Sequence, residues 1–142
     1  MVMDSLIKRY SYTITRNDFV TAGKSSSDIK GNLKAIGIDA KTIRKIAIIS
    51  YEAEMNIVIH SMGGKLHCDI YEEKIVIVCE DEGPGIPDID KAMTEGFSTA
   101  PENVRELGFG AGMGLPNIKR YSDEFKISSS DNGTIIVVTV LI

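Results

Sequence analysis

Four glycines stand at every second position from Gly108 to Gly114, and an apolar run with helical spacing follows them. Glycine loses more conformational freedom on folding than any other residue, so alternating glycines weaken a helix or a strand. A chain tolerates that loss where its backbone must approach a ligand closely and direct several N–H groups at it. The helix behind the loop adds the positive end of its dipole. A flexible surface loop would explain two glycines, whereas four in register before a helix favour an anion site suited to a phosphate chain.

Length and composition are those of one compact globular domain, which we expect to span residues 1–142. The net charge is −4 and the basic residues are scattered, which argues against a nucleic-acid-binding surface. No apolar run approaches the roughly 20 residues of a membrane span, and the N-terminus lacks the features of a signal peptide. We therefore expect a cytoplasmic protein without a membrane segment. Cys68 and Cys79 fall in strand-like segments and are expected to be small core residues rather than redox or metal groups.

Two helices are expected in the first half of the chain. Apolar residues recur at every third or fourth position in residues 19–36, and Asp18 before them is a suitable N-cap. Gly37 follows this pattern and is a residue type that commonly ends helices. Asp39 then caps a second apolar stripe, which continues to about His60.

Five segments alternate in polarity or are continuously apolar and predict β-strands; they are residues 6–14, 66–71, 74–80, 125–129 and 134–141. The third is apolar on both faces, which is typical of a central, covered strand. The sequence Asp131-Asn-Gly133 predicts a hairpin turn between the last two. Two further helices are expected, a short one at residues 88–95 and one from the glycine loop to Ser122. The predicted fold is an α/β two-layer sandwich (α+β), in which helices cover one face of a mixed, mostly antiparallel sheet.

Glu52, Asn56 and His60 lie four residues apart on the second helix and therefore share one face. Asparagine is a poor helix interior residue, and a carboxylate one turn from an amide oxygen suits a hard cation such as Mg²⁺. Glu52 could instead hold and deprotonate an attacking hydroxyl. The alternative is that all three residues form a solvated helix face, and His60 in particular suits a helix end better than a ligand site.

The sequence Asp81-Glu-Gly-Pro-Gly85 follows directly on the predicted central strand. Asp81 continues the strand face that carries Cys79, so its carboxylate is expected to point into the same layer. A half-buried carboxylate needs a hydrogen-bond donor, and a purine amino group would serve. Gly83 and Gly85 would let a flat base lie close to the backbone, although an acidic β-turn would also explain this pentapeptide.

These elements form an ordered set: E-x-x-x-N on a helix, D-x-G-x-G after a strand, a glycine-rich loop before a helix, and then Gly133-Thr134. In this order they resemble the GHKL ATPase superfamily, whose nucleotide-binding fold is the Bergerat α/β sandwich. Within it the chain looks most like the small bacterial anti-sigma-factor serine/threonine kinases. Residues 96–100, 114–120 and 123–125 are similar to the switch-kinase branch, whereas the longer segment 101–107 resembles the sporulation-type kinases.

The resemblance implies a role for each matching residue. Asn56 would bind the Mg²⁺ that bridges the phosphates of ATP, and Glu52 would be the catalytic residue that activates the acceptor hydroxyl. Asp81 would accept from the adenine amino group, with Thr134 assisting through water. A mobile lid would span about residues 96–110. The other nucleotide-binding positions implied in this way are Gly83, Gly85, Gly108, Gly110, Gly112, Met113 and Gly114.

The implied activity is that of an ATP-dependent serine/threonine protein kinase acting on a small regulatory partner with a STAS domain. Phosphoryl transfer depends mostly on positioning and charge stabilisation, which a glycine loop, Mg²⁺ and one base can supply. An alternative is a nucleotide-dependent binding module that sequesters a sigma factor or another partner and transfers little or no phosphate. A detached histidine-kinase catalytic domain ranks last, because the chain has no room for a phosphoacceptor hairpin. Besides binding its regulatory partner, the chain could form a homodimer.

Overall fold

A computed structural model describes residues 5–83, 86, 89, 93, 94 and 114–142 of the chain. The described elements follow in the order β1 (Lys8–Ile14), α1 (Lys24–Ala35), α2 (Ala40–His60), β2 (Gly64–Ile70), β3 (Lys74–Asp81), α3 (Gly114–Tyr121), β4 (Glu124–Ser130) and β5 (Gly133–Leu141). The strands form a 5-stranded sheet in the order β1-β2-β3-β5-β4, and all the pairings in this described part are antiparallel. The predicted α/β two-layer sandwich is confirmed. The predicted helix at 88–95 lies outside the described residues except for positions 89, 93 and 94.

The core lies between the sheet and the helices, and α2 contributes its central stripe. Ile46, Ile49, Ala53 and Ile57 are spaced by three or four positions along α2 and are almost completely buried. They face the alternate residues of β3 and its neighbours, which are buried on the same side of the sheet. Burial of each isoleucine side chain stabilises the fold by about 1.5–3 kcal/mol relative to exposure. This packing holds α2, and the polar residues on its other faces, at a fixed position over β3.

The expectation that β3 is covered on both faces is wrong. Its helix-facing residues Ile75 and Ile77 are buried, but Val76 and Val78 on the opposite face are only half-buried. The described helices pack on the side of the sheet that carries Ile75 and Ile77, so no described helix covers Val76 and Val78. The continuous apolar run corresponds to the central position of β3 in the sheet order.

The predicted start of α1 is also wrong, because this helix begins at Lys24 and not near residue 19. Asp18 instead accepts hydrogen bonds from the backbone and side chain of Thr21 in a local turn. The N-terminus of α1 is capped by Glu54 of α2, a buried carboxylate that needs donors. It accepts three backbone N–H groups at 3.1–3.3 Å, those of Gly23, Ser25 and Ser26.

Several local predictions are confirmed. Asp39 caps α2 by accepting the Thr42 N–H at 3.1 Å, and Gly37 follows α1 with a φ of +86°. Cys68 and Cys79 are buried core residues, and burial raises the pKa of the Cys68 thiol to about 12. Among the described helices, none combines the length and the apolar character needed to cross a bilayer.

Candidate functional site

Asp81 ends β3 beside the first residues of β5, because these two strands are antiparallel neighbours. Its Oδ1 accepts the backbone N–H of Thr134 at 2.8 Å. Burial raises the pKa of the half-buried Asp81 carboxyl, and the Thr134 N–H partly opposes that rise. Within the described part of the chain, Oδ2 of Asp81 has no hydrogen-bond partner. The hydrogen bond to Oδ1 orients the Asp81 carboxylate, and Oδ2 is left as a possible acceptor for a ligand.

Ser129 of β4 adds a third polar side chain to Asp81 and Thr134. It lies opposite Thr134 in the β4–β5 pairing, and the two hydroxyl oxygens are 2.9 Å apart. Ser129 Oγ also accepts the backbone N–H of Ile86 at 2.6 Å. Hydrogen bonds thus link Asp81 to Thr134, Thr134 to Ser129, and Ser129 to Ile86. The bond to Ser129 fixes the position of the Thr134 side chain.

Two glycines make the close approach of the strands possible at Asp81. Gly133 has a φ of +145°, and a Cβ at this position would lie 2.0 Å from the Asp81 carbonyl oxygen. A Cβ at Gly64 would lie 2.2 Å from the Glu80 carbonyl oxygen. Gly83 has a φ of +133°, and a Cβ there would meet Met62 Cγ at 3.2 Å. The positive φ in the turn after β3 and the nearby side chain of Met62 therefore both favour glycine at position 83.

We expect Gly133→Ala to lower the free energy of unfolding by at least about 2 kcal/mol, because the new methyl group must displace the Asp81 backbone. Gly31→Ala is the matched control. Gly31 lies inside α1, and a Cβ there would meet no atom within 4 Å. The free energy of unfolding of that variant should rise by about 0.5–1 kcal/mol, since alanine is favoured over glycine in a helix. Urea unfolding measures both values, and a Gly133→Ala protein as stable as wild type would contradict the close approach.

Glu52 lies at the meeting point of α2 and α3. Its Oε1 is 3.5 Å from Nδ2 of Asn117, and a Cβ at Gly114 would lie 3.3 Å from its Oε2. Burial raises the pKa of the Glu52 carboxyl, and the hydrogen bond from Asn117 opposes the rise. The carboxylate of the E-x-x-x-N motif thus lies against the first turn of α3, where the glycine-rich segment ends. Glu52 and Gly114, which lie far apart in the sequence, are brought together here.

Asn56 follows Glu52 by one helical turn and is half-buried, while His60 at the end of α2 is exposed. The Asn56 side chain makes no hydrogen bond to another described residue, so its amide oxygen is a candidate cation ligand. Cys79 Sγ contacts the carbonyl oxygen of Ala53 at 3.8 Å. This contact places Cys79, near the end of β3, against Ala53, the residue that follows Glu52 on α2.

The remaining predicted site residues lie outside the described residues; they are Gly85, Gly108, Gly110, Gly112 and Met113. The predicted lid at 96–110 lies outside them as well, and these roles stay predictions. Sequence reasoning missed two polar residues of the site. Ser129 could have been found by counting strand pairs back from the Asp131–Asn132 turn. Asn117 could have been found three residues after Gly114, on the same face of α3.

Comparison with known proteins identifies the family to which this chain belongs. The histidine kinase-like ATPase domain family matches residues 22–140, so the chain belongs to that family. It is 32% identical over 120 residues to the serine/threonine-protein kinase RsbT of Bacillus subtilis, covering 82% of both chains. It is 35% identical over 94 residues to the anti-sigma F factor of Clostridium novyi, covering 61% of this chain and 62% of that protein. The predicted membership in the GHKL superfamily and its branch of small anti-sigma kinases is confirmed.

Solved structures agree on the fold. A chain of the SiaB–SiaC complex from Pseudomonas aeruginosa superimposes with a TM-score of 0.56 at 14% identity, covering 96% of this chain and 91% of that one. The histidine kinase domain of the blue-light activated kinase EL346 from Erythrobacter litoralis gives 0.50 at 16% identity, covering 84% of this chain and 64% of that one. At these identities the likeness establishes the shared sandwich architecture.

Proposed function

We propose that the chain is an ATP-dependent serine/threonine protein kinase of the anti-sigma regulatory type, which acts on a small regulatory protein in the cytoplasm. The observation that carries this proposal is the placement of Glu52. Its half-buried carboxylate lies at the first turn of α3, one helical turn from Asn56 and next to the end of β3. These positions support a single site in which Glu52 would be the general base, Asn56 the cation ligand and Asp81 the group that recognises adenine.

Asp81 and Thr134 form the adenine-recognition part of the proposal. The Thr134 N–H occupies Asp81 Oδ1, which leaves Oδ2 to accept from the amino group of adenine. The half-buried setting supports this role, because a carboxylate oxygen removed from water is strongly stabilised by a donor. The phosphates of ATP would lie against the amides of the glycine-rich segment and the N-terminus of α3.

Asn56 is the proposed Mg²⁺ ligand. Mg²⁺ takes oxygen donors and usually retains waters and substrate phosphate oxygens, so a single amide oxygen at a half-buried helix position fits its needs. Bound there, the ion would neutralise negative charge that develops on the phosphates during transfer. The side chain of Asn56 carries no charge, so it does not compete with the phosphates for the ion.

Glu52 is the proposed general base. It takes the proton from the acceptor serine or threonine hydroxyl, whose oxygen forms a bond to the γ-phosphorus of ATP. The bond between the γ-phosphorus and the β–γ bridging oxygen breaks at the same time, and ADP leaves. The burial that raises the pKa of Glu52 makes its carboxylate a stronger base than one on the surface.

The proposed acceptor is a STAS-domain protein. The name of the Bacillus subtilis relative supports a protein-directed serine/threonine kinase. The name of the Clostridium novyi relative supports a second candidate function, in which the chain binds and sequesters a sigma factor. The two functions are separable, since sequestration needs no phosphoryl transfer and no general base.

Nucleotide calorimetry and a transfer assay test the proposal. We expect ATP and ADP to bind and Mg²⁺ to strengthen that binding, because Asn56 and the phosphates would share the ion. We also expect radiolabel from γ-labelled ATP to appear on a serine or threonine of a purified STAS-domain partner. Absence of adenine nucleotide binding at millimolar concentration by folded protein would contradict the whole proposal. Binding without transfer to any candidate partner would favour the sequestering function.

A further inference from the structure

We infer that Asn117 is a positioning residue for Glu52: its side-chain amide holds one oxygen of the carboxylate and so directs the other toward the acceptor hydroxyl. This inference rests on the proposed function. Asn117 lies on α3, while Glu52 lies on α2, so the contact joins the helix that follows the glycine-rich segment to the helix that carries the base.

The two carboxylate oxygens of Glu52 have different surroundings. Oε1 lies 3.5 Å from Asn117 Nδ2, whereas Oε2 faces Gly114, where a Cβ would stand 3.3 Å away. A separation of 3.5 Å is long for a hydrogen bond, but hydrogen bonds of catalytic groups are often long in unliganded sites and shorten when the substrate is bound. Glycine at position 114 thus leaves room on the Oε2 side, while Asn117 provides a donor on the Oε1 side.

The position of Asn117 is fixed by packing and not by its own side chain. Leu115 and Ile118, on either side of it in the sequence, are buried in the core, which holds α3 against α2. Asn117 and Gly114 are three residues apart and therefore lie on neighbouring positions of one helix face. Because α3 is held in this way, the amide of Asn117 meets Glu52 at a defined place.

An amide is well suited to this task. Glutamate has several rotatable side-chain bonds, and a donor on one oxygen restricts the direction of the carboxylate before the acceptor arrives. An uncharged donor orients the carboxylate and stabilises its ionised form less than an ion pair would, so Glu52 loses less of its strength as a base. A lysine or arginine at position 117 would form such a pair and would also attract the phosphates.

Asn117→Leu and Asn117→Asp test the inference, since the first removes the donor and the second replaces it with an acceptor of the same shape. We expect the transfer rate at saturating ATP to fall by about 10- to 100-fold in both, because misplacement by about 1 Å can cost about 100-fold. The dissociation constant of ATP should not change in Asn117→Leu. Lys119→Gln is the matched control: Lys119 is exposed on the same helix, and its replacement changes the net charge by the same amount as Asn117→Asp.

A double-mutant cycle distinguishes positioning from a general structural effect. If Asn117 acts through Glu52, Asn117→Leu should cause no further loss of transfer in a Glu52→Gln background. An equal additional loss in that background, or wild-type transfer by Asn117→Leu alone, would overturn the inference.

A spectroscopic measurement keeps the inference separate from the proposed function. In nucleotide-free protein at fixed pH, the side-chain carboxyl ¹³C resonance of Glu52, assigned by its loss in Glu52→Gln, should shift in Asn117→Leu and stay in place in Lys119→Gln. Failure of wild type to transfer phosphate would contradict the proposed function. An unshifted Glu52 resonance in Asn117→Leu would overturn the contact itself, whatever the transfer assay shows.

Discussion

Glu52→Gln is expected to reduce phosphoryl transfer by about 10²–10⁴-fold, which is the usual contribution of a general base, and to leave ATP affinity nearly unchanged. Glutamine has the size and hydrogen-bonding reach of glutamate, so the Asn117 contact at 3.5 Å can be kept through its oxygen. It cannot accept a proton at neutral pH. The measurement is radiolabel transfer to a STAS-domain partner, together with nucleotide calorimetry on the same protein.

Two control variants on α2 make this result specific. Glu54→Gln is the same chemical change two residues away, but Glu54 caps α1 through three backbone N–H groups. It should lower the free energy of unfolding by about 1–3 kcal/mol, while the folded protein retains its transfer rate. Asn56→Ala should instead weaken the binding of Mg-nucleotide. If wild type transfers phosphate and Glu52→Gln does so equally well, Glu52 is not the base.

The pH dependence of transfer provides an independent check on the same residue. Burial raises the pKa of Glu52, and a general base is active only when deprotonated. Transfer should therefore fall as the pH is lowered through that raised pKa, at a higher pH than for an exposed glutamate. The residual activity of Glu52→Gln should lack this acid limb.

Elements with local signals could be predicted from the sequence. The Asp39 cap, the Gly37 terminator and the hairpin at Asp131–Asn132 depend on residues within a few positions of each other, and the structure has each of them. The start of α1 could not be predicted in this way, because its cap is Glu54, about thirty residues further along the chain. Asp18 had the right residue type for a cap, but its side chain is used by Thr21 in a local turn.

The same distinction applies to the site. The spacing of Glu52 and Asn56 on one helix face follows from helical periodicity, and the inward direction of Asp81 follows from strand alternation. The contact between Glu52 and Asn117 depends on how α3 packs on α2, which no local pattern specifies. Glycine at position 133 is likewise required by tertiary structure, because a Cβ there would clash with the carbonyl oxygen of Asp81.

Asp81→Asn is expected to reverse the hydrogen-bonding polarity of the base pocket. The Thr134 N–H, now 2.8 Å from Asp81 Oδ1, needs an acceptor, so the oxygen of the new amide must face it. The NH₂ group then takes the place of Oδ2 and presents a donor to the amino group of adenine. ATP affinity should fall by about 1–3 kcal/mol, or roughly 5- to 150-fold, because two donors then face each other in a half-buried site.

The inosine nucleotide ITP makes this test specific, because it has a carbonyl oxygen where ATP has the amino group. Asp81→Asn should bind ITP better than ATP, reversing the preference of wild type, since the new NH₂ can donate to that oxygen. Asp131→Asn, the same change in the exposed β4–β5 turn, should leave both affinities unaltered, and thermal unfolding should confirm that each variant is folded. An Asp81→Asn protein that keeps the wild-type ratio of ATP to ITP affinity would show that the base lies elsewhere, because no other orientation of the amide satisfies the Thr134 N–H.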